Sequence, residues 1–269
     1  MNEVLMRMRK RSEVTQVISQ YPHLSVLLEA MPQNKDGLSA IEISPIIGHL
    51  KIKFAEDGKR IRKIVRRSNS RMTGKFPSRK NGRMMQWESK YELETFQVLE
   101  ISPLVAAYSE QPAELKYSGV DGIEHRHYPD ILVVLRNGIK MFIEVKPESA
   151  ITDQALADRT HLIANLLRHK GYQYLLVLPE QVESLAYLEN AKYLLLYSKM
   201  PMPEKVWEMV RCMLNDEASM ELLALITLLG HTDARSWIYS LVISGVVFCD
   251  LSEPITDQTL VRWNSQGEM

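Results

Sequence analysis

The stretch "HYPDILVVLRNGIKMFIEVKP", residues 127–147, sets two apolar runs either side of Asn137-Gly138, with Asp130 before the first run and Glu144 and Lys146 closing the second. Asn-Gly between alternating apolar residues is a hairpin signal. The loop length then decides which side chains share a face. A two-residue turn would pair Asp130 with Val145 and send Asp130 and Glu144 to opposite faces. A three-residue loop, Arg136-Asn137-Gly138 with Gly138 left-handed, pairs Asp130 with Glu144, Leu132 with Phe142 and Val134 with Lys140. It also makes the other face wholly apolar: Ile131 with Ile143, Val133 with Met141, Leu135 with Ile139. A buried face of that kind specifies register, so the longer loop is expected, with two carboxylates at adjacent strand ends.

Two carboxylates so placed repel each other unless a cation holds them, and hard oxygen donors suit Mg2+ or Mn2+. The backbone carbonyl of Val145 offers a further oxygen. Lys146 lies on the same face as Glu144, where an ammonium can orient an attacking water or stabilise charge on a phosphate oxygen. A metal site of this kind suits phosphodiester hydrolysis. Another carboxylate is required, and Glu92 supplies it from a helix read over "WESKYELETFQVLE", residues 87–100, with Trp87, Tyr91 and Val98 at helical spacing. Glu88 shares the face of Glu92. Glu94 points about 160° away, at ~100° per residue, and is expected to be solvated. The bland alternative is a hairpin flanked by solvated charges, since Asp…Glu-x-Lys also arises by chance. His125 and His127 are read on the strand of Asp130, on its opposite face unless Pro129 bends the chain, and are read as structural; the alternative is that such a bend brings His127 near the scissile phosphate.

Outward from the hairpin, "VAAYSEQPAELKYSG" reads as strands and "ITDQALADRTHLIANLLRHK" as a helix ending at Gly171. "YQYLLVLP" reads as a strand and "VESLAYLENAKYLLLY" as a helix. The fold class is α/β, with a mixed or antiparallel sheet. Three regions are expected: an N-terminal region with a basic arm (1–69), the catalytic core (70–198) and a C-terminal domain (199–269) of helices and a β-ribbon, in an order that suggests a winged helix.

The 33 Lys+Arg and 33 Asp+Glu cancel over the chain, yet Lys51 to Arg83 carries 13 Lys/Arg against Glu56 and Asp57. A solvated arm is the plain reading of such a run; phosphate contact through Arg66, Arg67, Arg71, Lys75, Arg79 and Lys80 is the functional one. From Pro201 onward ten acids face four Lys/Arg, which disfavours duplex binding and favours protein contact. Cys212 and Cys249 lack any ligand spacing and are read as small core residues. The Met-rich stretch from Met200 to Met209 is read as packing. No secretory signal or membrane span is read, so a cytoplasmic protein is expected.

The run "TGKFPSRKNGRMMQWESKYELETFQVLEISPLVAAYSEQP", followed by "YPDILVV" and "IEVKP", resembles the TnsA-type endonuclease subunit of heteromeric, Tn-seven-like transposases over roughly residues 70–198. The helical region beyond is similar, more weakly, to that family's winged-helix domain. The resemblance implies a restriction-endonuclease-like fold in a prokaryotic protein. It also implies Mg2+-dependent cutting of double-stranded DNA at the 5′ ends of a mobile element, beside a DDE transposase and an AAA+ ATPase regulator. Its helix carboxylate falls on Glu92, its strand aspartate on Asp130, and its last pair on Glu144 and Lys146. Some members carry Gln in place of Glu144. Gln111-Pro112 also matches the family and is read as positioning a strand, with no catalytic role. A free-standing nuclease and a silent DNA-binding adaptor are the rival readings. The acidic C-terminal region disfavours the first, and the intact carboxylates and lysine disfavour the second.

Overall fold

A computed structural model describes residues 49–56, 60–62, 72–119, 122–147, 150, 152–178, 185–198, 200–214 and 219–265. The helical pieces expected before residue 49, and Arg66, Arg67 and Arg71, lie outside the described residues.

The described residues group into two units, 49–96 with 104–178 and 97–103 with 185–265. In the first unit the hairpin has the register expected of the three-residue loop. Strand β7 (Ile131–Leu135) pairs antiparallel with β8 (Lys140–Val145) through Ile131–Ile143, Leu132–Phe142, Val133–Met141 and Val134–Lys140. Gly138 has φ +85°, which only glycine adopts without cost, and its N–H donates to Leu135 O at 2.9 Å. Strand β4 (Val105–Glu110) flanks β7, and β9 (Tyr172–Val177) runs parallel to β8, giving a mixed sheet in the order β4-β7-β8-β9. The parallel pair needs a crossover. Helix α2 (Gln154–Arg168) supplies it, capped by Asp153, whose carboxylate accepts from Leu156 N–H at 3.1 Å.

Both faces of the sheet are covered. Tyr108, opposite Val133, meets Phe96 of α1 (Lys90–Ile101) with ring centroids 5.6 Å apart. On the other face Phe142 packs with Ile163, Leu166 and Leu167 of α2. A second sheet takes the order β1-β5-β6, from Leu50–Phe54, Ala113–Ser118 and Glu124–His127.

Several expectations are corrected. The basic segment is not all arm: Leu50–Phe54 pairs with β5, and β2 (Gly74–Ser78) forms a hairpin with β3 (Arg83–Trp87). Trp87 therefore ends a strand instead of opening a helix. Its indole lies over Gly74, where any Cβ would stand 2.3 Å from Trp87 Cζ2. His125 and His127 belong to β6, in a different sheet from β7, because Tyr128 and Pro129 break the strand before Asp130. Glu94 is buried and pairs with Lys90 Nζ at 3.3 Å. Cys212 is exposed, whereas Cys249 is buried and burial pushes its thiol up to about 12.

In the second unit, α3 (Leu185–Tyr197) packs through Ala191 and Leu194 into one core with α4 (Glu204–Met213), α5 (Leu222–Leu229) and α6 (Ala234–Ser244). Strands β10 (Met220–Glu221), β11 (Val247–Phe248) and β12 (Leu260–Trp263) form a small antiparallel sheet in the order β10-β12-β11. Met202 packs against this core and Met200 is exposed. No helix among the described residues is long and apolar enough to cross a membrane.

Candidate active site

The hairpin delivers its charges to the open end of the β7–β8 ladder. One step beyond the Ile131–Ile143 pair, Asp130 and Glu144 line a cleft of about 710 Å3, together with Val145 and Lys146. Asp130 Oδ2 accepts from Val145 N–H at 2.8 Å, which ties the aspartate across to the neighbouring strand. Lys146 Nζ is ion-paired to Glu144 Oε1. The Glu144 side chain is 3% exposed and that of Lys146 is 28% exposed, so the carboxylate is deep while the ammonium remains reachable from the cleft.

The two carboxyls titrate apart. Burial pushes Asp130 well above the usual carboxylate range, and the charge of Glu144 adds to the effect. Burial also opposes ionisation of Glu144, but His127 and Lys146 outweigh it and hold that carboxyl below its ordinary value. The two carboxyls thus lose their protons in separate steps, Glu144 before Asp130.

Glu92 joins them from the first turn of α1 and also lines the cleft. Ser89 precedes the helix, and its hydroxyl accepts from Glu92 N–H at 3.1 Å. Glu92 Oε1 accepts from that hydroxyl at 3.3 Å, and Oε2 accepts from Glu88 N–H at 2.9 Å. "SKYE" is thus a variant of the capping box, and the same carboxylate serves helix start and cleft. Burial raises the Glu92 carboxyl, and the charge of Glu88 adds to it against the Glu88 N–H.

Several further groups here received no site assignment from the sequence. His127 Nε2 stands 3.2 Å from Glu144 Oε2 and 3.1 Å from Tyr174 Oη. A single proton on that nitrogen serves one of them at a time, and Glu144 Oε2 has no well-formed hydrogen bond among the described residues. Burial raises the Tyr174 hydroxyl, so it stays protonated. Strand alternation alone points His127 away from Asp130; the break at Pro129, the alternative raised from sequence, is what turns it inward. Arg60, ion-paired to Glu88, was counted only as one charge of a basic run. Arg62, Lys90, Arg126 and Arg159 line the cleft as well. Of the basic residues chosen from sequence, Lys75 and Arg79 are exposed on or beside β2, and Lys80 Nζ donates to Val105 O at 2.6 Å. These three do not line the cleft.

Among the described residues, no three His, Cys, Asp or Glu side chains gather closely enough to enclose a metal ion by themselves. The donor chemistry nonetheless fits one. Asp130, Glu144 and Glu92 are oxygen donors, Glu144 Oε2 is a buried acceptor with no well-formed hydrogen bond among the described residues, and the Asp130–Glu144 repulsion is what a divalent cation relieves.

A mixed sheet with carboxylates and a lysine at adjacent strand ends is consistent with a nuclease-like α/β core. Residues 102–178 match the family model described as the TnsA-like endonuclease N-terminal domain, which supports a transposition-related nuclease. The match includes Asp130, Glu144, Val145 and Lys146, whereas Glu92 lies before it. No curated protein matches the chain.

Proposed function

We propose that this chain is the endonuclease subunit of a transposition complex, cutting double-stranded DNA at the 5′ ends of a mobile element by Mg2+-dependent hydrolysis, with Mn2+ as a substitute. The observation that carries the reading is the pairing of half-buried Asp130 with buried Glu144, with Lys146 beside them, in a cleft flanked by cations. Asp130, Glu144 and the carbonyl of Val145 would hold the ion, with Glu92 approaching from α1. A bound ion of this kind polarises the phosphorus centre and lowers the pKa of a bound water. Lys146 neutralises Glu144 and presents its ammonium where phosphate charge builds. Arg62, Lys90, Arg126 and Arg159 would take the flanking backbone phosphates.

The second unit is read as a winged helix that contacts protein. Its order α4-β10-α5-α6-β11-β12 supports the first half of that reading. The ten acids against four Lys/Arg from Pro201 onward support the second, as does the burial of most of α6. A DDE transposase and an AAA+ regulator are the partners proposed.

The test is a reconstituted reaction with those partners on element-end DNA, mapping each cut strand in Mg2+ and in EDTA. Cuts at the 5′ ends that vanish in EDTA are expected. A complex that assembles on DNA and never cuts the 5′ ends would favour the adaptor reading, and efficient cutting by the chain alone would favour a free-standing nuclease.

A further inference from the structure

Gln111 connects β4 to β5 and so carries the chain from one sheet to the other. Among the described residues it is the non-glycine residue with positive φ, at +41°. A bare connection would be served better by glycine, which takes such a φ without steric cost. Gln111 is also buried, at 8% exposure, and its Oε1 finds no hydrogen-bond donor among the described residues. A strained backbone and an unserved buried oxygen in one residue that lines the cleft call for a function.

Its contacts supply one. Gln111 N–H donates to the carbonyl of Asp130 at 2.7 Å, fixing the chain at the start of β7. Its Nε2 donates to Glu88 Oε1 at 3.2 Å, and Glu88 N–H in turn donates to Glu92 Oε2 at 2.9 Å. The carbonyl of Gln111 accepts from Ile61 N–H at 3.0 Å, and Glu88 is ion-paired to Arg60. One residue thus reaches two of the three places that carry candidate carboxylates, the start of β7 and the start of α1. We propose that Gln111 is a positioning residue that sets Asp130 and Glu92 against one another, its carboxamide bridging to the start of α1 while its left-handed backbone holds the start of β7. The proposal rests on the metal-dependent reading above. Outer groups of this kind typically govern metal affinity by 10–100-fold.

The test compares wild type with Gln111→Gly, which keeps the conformation and removes the carboxamide, and Gln111→Asn, which tolerates positive φ but is one methylene too short for Glu88. Three readings are taken on the full chain: thermal midpoint, Mn2+ affinity by electron paramagnetic resonance, and the metal-free amide resonance of Val145, which reports the Asp130 contact. Expected are a thermal midpoint for Gln111→Gly no lower than wild type, a shifted Val145 resonance, and Mn2+ binding weakened at least about tenfold in both variants. An unmoved Val145 resonance with unchanged Mn2+ affinity would overturn the proposal. Wild-type protein that takes up no Mn2+ contradicts the metal reading instead, and the metal-free Val145 resonance then still decides the role of Gln111.

Discussion

Asp130 and Glu144 line one cleft with opposite protonation preferences, and that asymmetry has a measurable cost. Because the Asp130 carboxyl is raised above its unfolded value, the native state binds more protons than the unfolded state just above the ordinary carboxylate range. Its contribution to stability is therefore fully present below the unfolded value and is lost as pH rises through the folded one. Asp130→Asn keeps an acceptor for Val145 N–H and removes the ionisable group. The variant should lose cleavage while matching or exceeding wild-type stability at neutral pH, with the gap widening as pH rises. Denaturant titrations at several pH values check the sign. Lys146→Ala should slow cleavage while metal uptake survives, since an ammonium is not a ligand. Calorimetric Mg2+ titration beside single-turnover rates separates the two.

At the scale of elements, the hairpin and the start of α1 carry the geometry. Gly138→Val forces a β-branched residue to φ +85° and should cost more than about 1 kcal/mol, read as a lowered denaturation midpoint, whereas Gly138→Asn should cost less. Ser89→Ala removes a helix cap worth about 1 kcal/mol and also releases Glu92 Oε1, so stability and metal affinity should fall together. The hairpin was legible because only one register makes Ile131, Val133, Met141 and Ile143 a single buried face, and period-2 patterning is a local property of the chain. The start of α1 was misplaced because Trp87 fits a helical spacing equally well; what holds it in β3 is pairing across a turn to Gly74. Glu94 was misjudged because helical phase locates a face without saying what covers it. His127 and Gln111 could be singled out in the sequence, but what they hold could not, since their partners are distant along the chain: Tyr174 for the first, and Asp130 with Glu88 for the second.

On the whole molecule, charge and packing divide differently from the linear map. The cleft cations Arg126 and Arg159 lie outside the basic segment. If they touch phosphates, replacing both should weaken DNA binding across sequences and reduce the salt slope by up to ~0.9 for each phosphate no longer neutralised. Ala191 and Leu194 of α3 are buried in the C-terminal core, although the helix was assigned from sequence to the catalytic region. A chain ended at Ser198 would expose that face of α3, and size-exclusion chromatography should show it self-associating.

The most direct test of the central claim is element-end cleavage in Mg2+ by the assembled complex, comparing wild type with Asp130→Asn at matched DNA occupancy. Wild type is expected to cut the 5′ ends and the variant to leave them intact, with DNA affinity retained. Undiminished 5′-end cutting by Asp130→Asn would contradict it.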